Sequence, residues 1–95
     1  MQLGEFRESL KEAHPPRGLS ALLSALWHDA RGDWARAHEI VQGEKSKTAA
    51  RVHAYLHRKE GDLDNAAYWY RRAGQPVATD ALEVEWNRIA AALLD

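Results

Sequence analysis

Cysteine is absent from the 95 residues. Disulfides and thiolate metal sites are therefore excluded, and a cytoplasmic setting is expected. No apolar run approaches the roughly 20 residues that a helix needs to span a bilayer. Neither sign of charge prevails: 13 lysines and arginines stand against 14 carboxylates, and the balance holds in both halves of the chain. Electrostatic binding to nucleic acid or to a membrane surface is not expected from that balance. Met1 to Glu5 lack a charged stretch followed by an apolar one, so no secretory signal is expected. A glycine-rich phosphate loop, a nucleophile elbow and a paired-carboxylate motif are all missing. No catalytic residue, no cofactor and no metal are expected, and the chain is read as a non-enzyme. A chain of this length makes one domain with an economical core.

What is present is helical periodicity broken at three prolines and six glycines. Leu3, Phe6, Leu10 and Ala13 recur at helical spacing and predict a first helix over about 3–13. Pro15-Pro16 ends it, and the same pair can open the next. Leu19, Leu22, Leu23, Leu26 and Ala30 mark the second helix, with a stop at Gly32. Asp33 caps a third, from about Trp34 to Gln42. Ser46 or Thr48 caps a fourth, carrying Ala49, Val52 and Leu56 on one face and ending at Gly61-Asp62. The fifth carries Leu63, Ala66, Tyr70 and Ala73. Asp80 with Glu83 fits a capping box for a sixth, with Leu82, Trp86, Ile89 and Leu93 in line. No alternating strand pattern occurs, so the fold class is all-α.

The chain matches itself at an offset of 29 residues (61 − 32). Ala25 meets Ala54, His28 meets His57, Gly32-Asp33 meets Gly61-Asp62, and Ala37 meets Ala66. Each copy is a helix, a Gly-Asp turn and a helix. Glycine permits the left-handed turn, aspartate accepts from free amides of the next helix, and alanine lets two helices approach. Such hairpins stack to bury their second face.

The Gly-Asp turn is followed by a bulky residue (Trp34, Leu63), an alanine three further on (Ala37, Ala66) and another bulky residue (Val41, Tyr70). In this pattern the chain resembles the tetratricopeptide and Sel-type repeat superfamily, as does Tyr68-Trp69-Tyr70-Arg71-Arg72-Ala73. The period is shorter than that family's ~34 residues. The stretches Trp27 to His38 and His53 to Asp62, with Asn65-Ala66, also resemble a family of small bacterial proteins. That resemblance implies a bacterial source and brings no activity. Together these readings predict six helices in a right-handed stack. Two tetratricopeptide-like hairpins over about 19–42 and 48–73 lie between flanking helices over about 3–13 and 80–94.

Repeat scaffolds of this kind act as binding modules, so a protein or peptide partner is expected. The candidate groove is lined by the second and fourth helices, with Trp27, His28, His53 and His57 as contacts and Tyr68 on a second surface. Trp27, Trp34, Trp69 and Trp86 are expected in the core, with Trp69 covered by Trp86. Two alternatives come from other classes. One is a self-associating structural protein, a homodimer that covers the apolar ends of a short stack. The other is a small metal-dependent enzyme using His53, His57 and Glu60, which share a helix face. Against it, a His-x-x-x-His pair alone lacks a specific third ligand. His28 and His57, just before the glycine turns, also suit a helix C-terminus.

Overall fold

A computed structural model of the chain describes residues 1–94. Among these residues there are six α-helices and no strand: α1 (Leu3–Glu8), α2 (Ala21–Ala30), α3 (Trp34–Gln42), α4 (Lys47–Glu60), α5 (Leu63–Ala73) and α6 (Leu82–Leu94). Among the described residues no helix is long and apolar enough to cross a membrane.

The two Gly-Asp turns share one geometry. Gly32 and Gly61 take φ of 88° and 89°. The amide of Asp33 donates to the carbonyl of His28 at 2.9 Å, and that of Asp62 to the carbonyl of His57 at 3.0 Å. Both bonds are the long reach-back of a Schellman ending, which a left-handed residue makes possible. The aspartates then turn outward to the next helix. Asp33 accepts from the Arg36 amide and Asp62 from the Asn65 amide. So α2 pairs with α3 and α4 with α5, each across a turn read from the sequence. The matched alanines Ala25, Ala54, Ala37 and Ala66 are all buried at these close helix contacts.

Three boundaries differ from expectation. The first helix stops at Glu8 and continues only as a 3-10 turn over Ser9–Lys11. Ser9 Oγ donates to the Phe6 carbonyl, and side chains of α2 and its C-terminal cap reach the carbonyls that follow. Trp27 Nε1 donates to the Ser9 carbonyl at 3.3 Å, and Arg31 donates to the carbonyls of Leu10 and Glu12. Pro15-Pro16 does not open α2, which begins at Ala21 with Ser20 as its cap. The Asp80–Glu83 capping box is replaced by longer-range ion pairs, Asp80 with Arg88 at 2.5 Å and Glu83 with Arg7 at 3.4 Å.

The flanking helices do not stand at opposite ends of the hairpins. Helix α6 packs on α4, α2 and α1. Trp86 stacks on Phe6 with ring centres 5.6 Å apart, and its Nε1 donates to the Leu26 carbonyl at 3.1 Å. On α6 the Glu85 carboxylate is buried and held from both hairpin helices. It accepts from Arg58 Nη1 of α4 at 2.8 Å and from the Tyr70 hydroxyl of α5 at 2.6 Å. A carboxylate taken out of water is tolerated only with such full pairing. The α2–α4 face expected to receive a partner is therefore covered by the chain's own last helix.

Candidate functional site

Helices α3, α4 and α5 enclose a cluster of histidine and tryptophan rings. His38 comes from α3, His53 and His57 from successive turns of α4, and Trp69 from α5. The three imidazole centres form a nearly equilateral triangle. They are 4.9 Å apart for His38–His53, 5.1 Å for His38–His57 and 4.9 Å for His53–His57. Tryptophans brace two of the rings: Trp34 stacks on His38 at 4.8 Å and Trp69 on His53 at 3.9 Å. Trp34 is itself fixed, donating its Nε1 hydrogen to the Leu56 carbonyl at 2.8 Å.

The protonation pattern follows from the contacts. Glu60 Oε1 lies 2.6 Å from His57 Nδ1. A carboxylate only accepts, so Nδ1 of His57 carries a hydrogen. His53 Nε2 and His38 Nε2 face each other at 3.1 Å, one donating and one accepting. Burial pushes His53 down to about 4, and neighbouring His57 and His38 push the same way. Burial, then His57, also lowers His38, with Glu60 opposing. Both rings are neutral at neutral pH. Glu60 is thus the orienting partner of His57's outer nitrogen, and the third ring beside His53 and His57 is His38.

Next to this cluster opens a pocket of about 580 Å³ between the α3–α4 loop and α5. His53 and the Trp69 ring form part of its wall. Lys45, Lys47 and Arg72 line it against one carboxylate, Glu44. None of these three cations is in an ion pair among the described residues. Arg72 lies over the Trp69 ring at 5.4 Å and donates to the Tyr68 hydroxyl at 3.0 Å. Tyr68 is 42 % exposed beside it. Trp69 is half-buried and covered by His53 and Arg72, not by Trp86.

The expected contact residues fall in two places. His53 and His57 join the cluster, with Tyr68 close to its edge through Trp69, whose ring centre is 5.2 Å away. Trp27 and His28 belong elsewhere: Trp27 is buried beneath the 3-10 turn, edge-on to His28 and covered by Arg31. His38, Lys45, Lys47 and Arg72 were not anticipated as site residues. His38 lies five residues before the Gly43–Ser46 loop and His53 seven after it, and antiparallel packing across that loop brings the two together. Set against family models, curated proteins and solved structures, the chain matches none of them.

Proposed function

We propose that the chain is a protein-binding module whose pocket between the α3–α4 loop and α5 takes an acidic segment of a partner. The observation that carries this reading is the cationic rim, Lys45, Lys47 and Arg72 against Glu44, set around the Trp69 ring. An acidic peptide would gain charge pairing at the rim and aromatic burial at the wall. Trp69 supports the same reading through its indole. The other three tryptophans donate Nε1 to the carbonyls of Ser9, Leu56 and Leu26. Trp69 has no such bond among the described residues, so its donor is free for a ligand. The reading treats the two hairpins as tetratricopeptide-like units of a bacterial, cytoplasmic protein. It moves the contact surface from the α2–α4 face, where α6 lies, to the opposite flank of α4.

The test is charge reversal at the rim. Lys45 and Arg72 are exposed, so Lys45→Glu with Arg72→Glu is expected to change stability by only about 0.5 kcal/mol per site. Partners captured from a bacterial lysate by the natural chain should be lost with the double variant and released by salt. Retention of the same partners by both chains at low and high salt would refute the proposal.

A further inference from the structure

The histidine triangle has the dimensions of a three-imidazole metal site. Three imidazole nitrogens about 2.0–2.1 Å from one tetrahedral ion lie about 3.3 Å apart, with ring centres about 5 Å apart. The three ring centres here are 4.9, 5.1 and 4.9 Å apart. His38 Nε2 and His53 Nε2 are already 3.1 Å from each other, and one nitrogen from each of the three rings lies within 4.8 Å of the others. The remaining closure is within reach of side-chain rotation, because the histidine χ2 torsion is broad.

From this geometry we infer that His38, His53 and His57 form a three-imidazole site for one divalent transition-metal ion, with zinc the best match. Nothing in the binding-module reading requires it, and either can stand without the other.

Three features of the molecule support the site. The His53/His57 pair has the i, i+4 spacing that puts two ligands on one helix face. His38 comes from the neighbouring helix, so the ion would tie α3 to α4 across their loop. Glu60 holds Nδ1 of His57 at 2.6 Å, the outer-sphere carboxylate that metal-binding histidines characteristically carry. Across from Glu60, Asn65 Nδ2 lies 3.4 Å from His57 Nε2, a long contact that the ion would displace.

The charge balance is simple. A histidine binds an ion through an unprotonated ring nitrogen, so whichever of His38 and His53 holds its hydrogen on Nε2 moves it to Nδ1 when Nε2 binds the ion. Three neutral nitrogens leave a fourth position for water or an outside ligand, as in open zinc sites. His57, Glu60 and Asp62 make a rival grouping. There Glu60 is engaged by His57 and Asp62 accepts from the Asn65 amide, so both acids are already committed.

The experiment is a calorimetric titration of zinc chloride into the full chain, purified without an affinity tag, in a non-chelating buffer. One ion per chain is expected, with a raised Tm. His38 is half-exposed, so His38→Asn should stay folded by circular dichroism, and its zinc affinity should fall by about 100-fold or more. Glu60→Gln should keep one ion per chain and lose about 10- to 100-fold in affinity. His28→Asn should bind as the natural chain does. Cobalt in place of zinc should give the intense visible absorption of a tetrahedral nitrogen site, and His38→Asn should lose it. Absence of zinc binding by the natural chain overturns the inference. So does binding that His38→Asn leaves unchanged, which would place the ion elsewhere, such as on Glu60 and Asp62.

Discussion

His53 sits between two roles, ring partner of His38 and wall of the pocket, and its proton balance is measurable. Its folded-state value is held down to about 4, against about 6.5 in an unfolded chain. Protonation is therefore harder in the folded state. Above pH 6.5 neither state is charged at His53 and nothing is lost. As pH falls from 6.5 to 4 the unfolded chain takes up the proton first, and stability declines. His38 is lowered too and adds in the same direction. The expected loss is on the order of 2 kcal/mol between pH 7 and pH 4.5, less than the full shift implies because the cluster is partly open to water. Urea unfolding at the two pH values measures it. In His53→Gln the decline should be shallower, and an equal decline in both proteins would mean that carboxylates elsewhere dominate it. Glu85 is the second residue with a large expected effect. Its carboxylate is buried, so Glu85→Ala leaves Arg58 without its partner and should cost about 3–5 kcal/mol in chemical unfolding.

Among the elements, the Gly-Asp turns were the part most legible in the sequence. Their signal is local, a left-handed glycine followed by a capping aspartate, and both copies fold alike. A Cβ at Gly32 or Gly61 meets no atom within 4 Å, so substitution costs only backbone strain. Gly32→Ala and Gly61→Ala should each lose about 1 kcal/mol, nearly additively in the double variant. Thermal unfolding of the three proteins checks this, and a loss at one turn alone would break the equivalence of the copies. The ends of α1 and α6 were less legible because distant side chains decide them. Trp27 and Arg31 claim the carbonyls after α1, and Arg88 claims Asp80 from its expected capping role. His38 stayed hidden for a related reason. Periodicity puts it on a helix, and only pairing across the α3–α4 loop brings it to His53.

In the whole molecule, the stripe Leu82, Trp86, Ile89 and Leu93 shows that α6 buries a face, and says nothing of which surface receives it. That surface is α2 and α4, where α6 also meets α1. A chain ending at Pro76 would expose Leu26 and its neighbours to water and lose the Glu85 pairing. It should show no cooperative thermal transition, and a sharp one would mean the hairpins are stable alone. With α6 in place, the flank of α4 toward α3 and α5 carries both the cationic pocket and the histidine triangle.

The most direct test of that placement follows the four indole N–H signals of the natural chain by NMR as an acidic peptide is added. The Trp69 indole, bonded to no carbonyl among the described residues, should shift, with backbone signals of Lys45 and Arg72. The indoles of Trp27 and Trp86, bonded to the Ser9 and Leu26 carbonyls, should stay where they are. Shifts centred on Trp27 and Trp86 with Trp69 unmoved would return the contact surface to the α2–α4 face and contradict the account.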